Sequence, residues 1–394
     1  MASTAIYRKK GHFVALFLLF VCASCTHTAT LTQQQPNNDT LYMTEQLNKL
    51  TVRLMQQVVK TESGRNIWLS PWSIATALRT VYAGAEGRTA EEILPLTTDF
   101  VPSNNELLKT ANALFIQPDV SLKKEYLADC KKRNAEIYSK KITAALVNSW
   151  AADHTNGKIT GILQDPVPES LRMLIANAIW FKGDWSIPFE LIDTHKRQFN
   201  PEKGQPYEVD MMEKTDMFRY VDDNDVQYLS LFYRPSKEDG MRYVMDIILP
   251  RENLTATDII RKLSAEKLDN WIKSARARKV NLIFPKLSLS YERELNNNLS
   301  ALGMSAVFSP SKADLSRMTD EKLFLGLVKQ NSFLRIDECG TEAAAVTVTM
   351  LKAGAIPMQE QIIDFHVTRP YILILREYTS GTILFMGKIE KIEQ

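Results

Sequence analysis

The stretch Glu338-Cys339-Gly340-Thr341-Glu342-Ala343-Ala344-Ala345-Val346-Thr347-Val348-Thr349-Met350 constrains this chain more than any other. Thr341, Ala343, Ala345, Thr347 and Thr349 alternate with Glu342, Ala344, Val346 and Val348, so one face of an extended strand would carry only Ala and Thr. A strand with such a face can slide between two existing strands over a packed core, because no bulky side chain collides with what lies beneath. Gly340 permits a sharp backbone change at its start. The preceding residues, Asn331 to Asp337, alternate roughly as a strand should. Propensity offers a plainer reading, a short exposed helix or loop, since three consecutive alanines favour helix. After Met350 the pattern dissolves into Leu-Lys-Ala-Gly-Ala-Ile-Pro-Met-Gln-Glu-Gln, the composition of an exposed, flexible loop.

Catalytic signatures are missing around it. The chain has no HExxH helix, GxSxG elbow, phosphate-binding loop or GxGxxG after a strand. Of its five His, His12 and His27 precede the folded part, His154 sits in the turn-like Asp153-His154-Thr155-Asn156-Gly157 and reads as a solvated loop residue, and His195 lies on a polar, exposed-looking run. The carboxylates between Glu202 and Asp223 have no metal-loop spacing, and no cofactor or metal site is expected. With 48 Lys+Arg against 46 Asp+Glu there is no excess of cations for a nucleic-acid footprint. Apolar residues at 45% and charged residues at 24% fit a globular core and exclude disorder.

The slight basicity belongs to the N-terminus. Arg8, Lys9 and Lys10 precede an apolar run, Phe13 to Cys22, that is too short for a membrane span and suits a signal peptide over residues 1–24. Without those residues the chain has one more acid than base. Cys22-Ala23-Ser24-Cys25 resembles a bacterial lipobox, in which Cys25 would become the lipid-modified N-terminus, although Cys22 stands where Leu is usual; ordinary signal cleavage is the alternative. Either way the chain is expected to be exported, to the cell envelope through a lipid or to the exterior. Residues 25–40 read as a flexible tether and 41–394 as one large domain. Cys130 and Cys339 form no CxxC pattern; two free thiols are expected, with a disulfide open in an oxidising compartment.

Apolar periodicity predicts helices over Leu41–Lys60, Ser73–Gly84, Ser103–Leu114, Leu122–Ile137, Ala256–Ala275 and Arg293–Leu302. Strands are predicted at Leu174–Lys182, a continuous apolar run suited to burial on both faces, at Tyr243–Leu249, and at Lys279–Phe284 and Lys286–Leu289. Tyr371–Leu375 and Thr382–Gly387, joined through Tyr378-Thr379-Ser380-Gly381, read as a hairpin. Helices dominate early and strands late with no βαβ rhythm, which gives an α+β class.

The hinge Glu338-x-Gly340-Thr341-Glu342-Ala343-Ala344-Ala345-x-Thr347 resembles the signature of inhibitory members of the serpin family. Other stretches are similar to the family in the same order: Asn66-Ile-Trp-Leu-Ser70-Pro71-Trp-Ser73-Ile74, a helix start, and Ala111-Asn112-Ala113-Leu114-Phe115, a strand. Val147-Asn148-Ser149-Trp150 with Thr155-Asn156-Gly157-Lys158-Ile159 follows, then Ala176-Asn177-Ala178-Ile179-Trp180-Phe181-Lys182-Gly183-x-Trp185, with Trp185 matching the tryptophan of the sheet's breach. Phe284-Pro285-Lys286, Leu299-x-x-Leu302-Gly303 and Phe385-Met386-Gly387-Lys388 complete the series, and the likeness covers residues 41 to 392.

The resemblance implies one domain with about three β-sheets, about eight to nine helices and an exposed reactive-centre loop near residues 338–363. It implies a monomeric suicide inhibitor whose loop is attacked as substrate by a serine protease, with cysteine proteases as a further target class. The cut strand then inserts into the main sheet, carrying the acyl-linked protease with it. The family's cut position falls at Gly354-Ala355, suiting an elastase-like pocket; Lys352-Ala353 would suit a trypsin-like one, and both stay open. Ser70, Ser73 and Asn177 match the family's shutter beneath the opening sheet, but its usual His is here Gln330, which can donate and accept without titrating. Cys339 beside the hinge could act as a thiol switch or be a plain hinge-side residue. A serpin that binds a ligand without trapping proteases is the alternative. The uncharged, small inserting face favours inhibition, because non-inhibitory members often carry bulky or charged residues there.

Overall fold

Periodicity along the chain resolves into helices that cover two stacked arrays of strands. The computed structural model describes residues 38–98, 104–133, 135–341 and 361–393. Residues 1–24, where a signal peptide is expected, Cys25, Glu342 to Ala345, Thr347 and Lys352 to Ala355 therefore lie outside the described residues.

The chain begins with α1 (Asn38–Val58), β1 (Ile67–Leu69), α2 (Pro71–Gly84), α3 (Gly87–Ile93), β2 (Leu108–Ile116) and α4 (Lys124–Lys132). Next come β3 (Glu136–Ser139), α5 (Ala144–His154), β4 (Met173–Phe181), β5 (Gly183–Asp184), β6 (Thr194–Phe199) and β7 (Tyr207–Asp222). Then follow β8 (Val226–Phe232), β9 (Tyr243–Pro250), α6 (Ala256–Lys262), α7 (Ala265–Ser274), β10 (Arg276–Pro285) and β11 (Leu287–Glu294). The chain closes with α8 (Asn296–Ala301), β12 (Leu327–Ile336), β13 (Gly340–Thr341), β14 (Ile363–His366), β15 (Tyr371–Glu377) and β16 (Ile383–Ile389). Among the described residues no helix is long and apolar enough to cross a membrane.

Among the described residues seven strands form one sheet in the order β3-β2-β4-β12-β13-β5, with β11 on the far side of β12. Every residue of β4 is buried because both of its faces are covered. Leu174, Ala176 and Ala178 pack with Val147 and Trp150 of α5, whereas Met173, Ile175 and Ile179 enter the main core with α2. Nine of the described strands form the other hydrogen-bonded array, where two separate sheets are expected. The cause is β7: its Tyr207–Met212 end pairs with β6, its Arg219–Asp222 end pairs with β8, and β10 runs along its other edge. One 16-residue strand thus joins two groups of strands into a continuous ladder. Eight α-helices are present among the described residues.

Several local expectations are corrected. The helix expected over Ser103–Leu114 is the strand β2, as the family likeness of Ala111–Phe115 implies. Asn105 Oδ1 accepts the backbone N–H groups of Leu107 and Leu108, both at 2.9 Å, and Asn104 Oδ1 accepts that of Thr110. These side-chain turns take donors a helix would need. The helix expected to reach Ile137 stops at Lys132, and β3 follows. The helix expected over Ala256–Ala275 breaks at Leu263, whose backbone is extended, and restarts where Ser264 caps the N–H of Lys267. Arg293 belongs to β11, and α8 begins only at Asn296. The Tyr371 hairpin forms, with a bulge between Leu375 and Arg376. Both Cys130 and Cys339 are free thiols.

Candidate functional site

The seam of interest lies between β4 and β12, neighbours that run parallel. Leu327 to Ser332 pair with Leu174 to Ile179. Beyond Ser332 the two strands part, and the chain reverses at Asp337–Gly340 to place β13 in the opening. There Thr341 pairs with Ile336 on one side and Gly183 on the other, and Gly340 pairs with Asp184.

The turn is built by Asp337, whose Oδ1 accepts the backbone N–H groups of Cys339 (3.0 Å) and Gly340 (3.3 Å). Gly340 has φ +153°, and a Cβ on it would fall 2.1 Å from the Gly183 carbonyl oxygen, so only glycine fits. Thr341 is fully buried, and its hydroxyl lies 2.6 Å from that of Tyr233. Tyr233 stacks on Trp185 at a centroid distance of 4.4 Å. The Trp185 indole N–H donates to the Asp337 carbonyl at 3.1 Å, and its backbone N–H donates to that of Cys339 at 2.8 Å. Trp185 is therefore a floor on which the hinge rests.

Glu338 anchors the same turn. Its carboxylate accepts from the Thr194 hydroxyl (2.8 Å) and pairs with Lys286 Nζ at 3.0 Å. Burial pushes its pKa up, but its own backbone N–H, Thr194 and Lys286 outweigh that and hold it below the ordinary glutamate value. Lys286 belongs to the Phe284-Pro285-Lys286 motif; its tie to the hinge was not legible as sequence, because 52 residues separate the partners.

Beneath the seam the four sequence-predicted shutter residues meet, all fully buried. Ser70 caps α2, accepting the Ser73 N–H, and donates its hydroxyl to the Leu384 carbonyl at 2.6 Å. Gln330 Oε1 accepts the Ser70 N–H at 2.9 Å, while its Nε2 donates to the Ser70 carbonyl (3.0 Å) and to Asn177 Oδ1 (2.6 Å). Asn177 Nδ2 donates to Ser73 Oγ and to Asn112 Oδ1. Asn112 in turn donates to Thr76. Registers explain the row: Asn112 pairs with Asn177 and Asn177 with Gln330 across three strands. Gln330 thus supplies one acceptor and two donors, all engaged. Asn112, Thr76 and Tyr233 were missed as site residues; Asn112 stood in a recognised motif, but only the register reveals its partner.

His195 lies exposed on β6, as expected. His154 is corrected: it ends α5 rather than standing in a loop, and both ring nitrogens face acceptors.

The model of the family described as Serpin (serine protease inhibitor) matches residues 45–392. Among curated relatives, Iripin-2 of Ixodes ricinus is 28% identical, with 89% of this chain and 94% of the relative covered. An uncharacterized serpin-like protein of Thermococcus kodakarensis is 32% identical, covering 87% and 84%. Of solved structures, the thermophilic serpin tengpin in its native state superposes with TM-score 0.81 at 24% identity, covering 91% of this chain and 96% of that one. Human thyroxine-binding globulin complexed with its hormone gives 0.79 at 25%, covering 90% and 100%. With the strand order, the hinge turn and the shutter in place, these matches mean that the chain belongs to the serpin family.

Proposed function

We propose that this chain is a suicide inhibitor of serine proteases that traps its target by inserting the strand beginning at Gly340 between β4 and β12. The observation that carries the reading is the state of the seam. Gly340 and Thr341 already sit between Ile336 and Gly183–Asp184, while Leu327–Ser332 and Leu174–Ile179 below them still pair with each other. Insertion would replace that one parallel ladder by two ladders to the entering strand. The gain is roughly ten backbone hydrogen bonds at about 1 kcal/mol each, plus burial of the Ala and Thr face. A release on the order of 10 kcal/mol is enough to distort a protease held by an ester at the end of the strand.

On this reading Glu338 to Thr347 form the hinge, and Gly354-Ala355 is the bond attacked, with Lys352-Ala353 the alternative. The chain acts as a monomer, is exported and is held in the cell envelope through a lipid on Cys25. Incubation with elastase and with trypsin, followed by a denaturing gel, tests the central claim. A covalent band of summed mass is expected; only cleaved chain and free protease would overturn inhibition in favour of a ligand-binding, non-trapping role. Mass spectrometry of the released C-terminal peptide identifies the bond, and the intact mass of the mature protein tests the lipid.

A further inference from the structure

The turn after β9 and the connection between β14 and β15 meet at one side chain. Strand β9 stops at Pro250, and the chain then folds back, with the Leu254 N–H donating to the Arg251 carbonyl at 2.9 Å. Thr255 and Asp258 exchange capping hydrogen bonds that fix the start of α6. From the other connection Arg369 reaches across to this turn, where its Nε and Nη2 both donate to the Pro250 carbonyl, at 3.1 and 2.8 Å. That connection is pinned in turn to the end of β6, because the Asn200 N–H donates to the Thr368 carbonyl at 2.7 Å. The three segments enclose a cleft of about 360 Å³, a size that suits a small organic ligand. None of these residues belongs to the hinge or the shutter.

Leu254, Ala256 and Pro370 give the cleft an apolar wall, and Arg369 and Glu252 bring opposite charges into it. A guanidinium carries five N–H groups, and the Pro250 carbonyl takes two of them. Among the described residues the half-buried Arg369 has no ion-pair partner, whereas the neighbouring Arg251 is bound to Asp222. Burial lowers the Arg369 pKa; attraction to Glu252 opposes that, and repulsion from Arg251 adds to it. The exposed Glu252 carboxylate makes no hydrogen bond or ion pair with any described residue. A cation and an anion thus line one cleft, attract each other without pairing, and both keep open positions. We propose that this cleft binds a small zwitterion with an apolar side chain, a free amino acid or a short peptide, its carboxylate on the open side of Arg369 and its ammonium toward Glu252. The side chain lies on Leu254 and Pro370. A ligand with only a negative charge would meet Glu252 and Glu202 unscreened, and one with only a positive charge would meet Arg369, so the lining selects against both.

Titration calorimetry of the full chain with leucine and with glycyl-leucine tests the site. At least one of the two should bind with a dissociation constant of about 1 mM or tighter, and which of them binds more tightly tells an amino-acid site from a peptide site. N-acetylleucine lacks the ammonium and leucinamide lacks the carboxylate; each should bind at least about tenfold more weakly. Glu252→Gln changes an exposed side chain that holds nothing in the fold. It should weaken leucine or glycyl-leucine at least about fivefold and leave N-acetylleucine no weaker than before, a split that a general loosening of the cleft would not produce. Arg369→Gln should abolish binding of both zwitterions; should its lost tie to Pro250 unfold the protein, Glu252→Gln still decides. No binding of either zwitterion up to about 10 mM, equal binding of leucine and N-acetylleucine, or unchanged zwitterion binding in Glu252→Gln would each overturn the proposal.

Discussion

Gln330 Nε2 donates to Asn177 Oδ1 at 2.6 Å, the one side-chain hydrogen bond in this network that crosses from β12 to β4. On the proposed mechanism it must break when a strand enters between them. The same side chain also holds the Ser70 N–H and carbonyl at the start of α2, so the seam is clasped to the helix beneath it. A His at this position would make the clasp depend on its charge; an amide does not titrate. Seam opening at the shutter should therefore be insensitive to mild acid.

Gln330→His tests this directly. The rate of loop insertion, followed by tryptophan fluorescence after cleavage, should gain a new component with a midpoint in the ordinary imidazole range, about pH 6 to 7. The wild type, with an amide at this position, should lack that component. Identical profiles for the two proteins between about pH 5 and 8 would show that Gln330 contributes nothing to acid insensitivity. Gln330→Ala should lower stability by about 1–3 kcal/mol, because it leaves buried groups of Ser70 and Asn177 unpaired.

If the chain traps proteases as proposed, Thr341→Arg should turn it from inhibitor into substrate. The position is fully buried against Tyr233, and an Arg there would carry an unpaired charge into the sheet. Gly340→Ala should act alike by a different cause, since its Cβ would meet the Gly183 carbonyl. In both variants Gly340 and Thr341 should be expelled rather than the fold lost. Circular dichroism should be unchanged, while the covalent band on a denaturing gel falls at least about tenfold, equivalent to about 1.4 kcal/mol against insertion. A variant that still trapped protease at the parent level would sink the strand-insertion reading.

Acid should loosen the hinge through Glu338. Its folded pKa lies below the ordinary value, so its contribution is fully present above the unfolded-state pKa, near 4.3. That contribution is lost as the pH falls through the lower, folded value. Exchange of the Cys339 and Gly340 amides should accordingly rise only in that acid window. Lys286→Met removes one of the stabilising partners and should move the rise to higher pH. If Lys286→Met leaves the midpoint where it is, the ion pair is not what holds the turn.

Much of this could be read from residue order. The buried strand β4, the start of α2 and the hinge turn all fall where local pattern places them, since each depends on neighbours close in sequence. What escaped depends on distance. Asn104 and Asn105 redirect their backbone locally and convert an apparent helix into β2, a competition that apolar spacing does not register. His154 looked solvated because the motif around it favours turns, yet Glu136 lies 18 residues earlier on a strand that periodicity had assigned to a helix. The joining of two sheets through β7 required knowing which strands it pairs with at each end.

The buried pair Asp246–Arg376 was likewise invisible as sequence, with 130 residues between the partners. Arg376 sits beside the bulge in β15, and its Nε donates to Asp246 Oδ2 at 2.6 Å. The Ser230 hydroxyl satisfies Asp246 Oδ1 at 2.7 Å, and both members of the pair are 3% exposed or less. Removing one partner strands the other without water. Arg376→Leu should therefore lower stability by about 3–5 kcal/mol, whereas Asp246→Leu combined with Arg376→Leu should recover much of the loss. Unfolding in urea, followed by far-ultraviolet circular dichroism, reads both values. The double variant matters more for function. If the array containing β9 and β15 is a rigid frame and the β4–β12 seam is the part that opens, the double variant should trap protease as the wild type does. A double variant as stable as the wild type but unable to trap would mean that this pair is coupled to sheet opening.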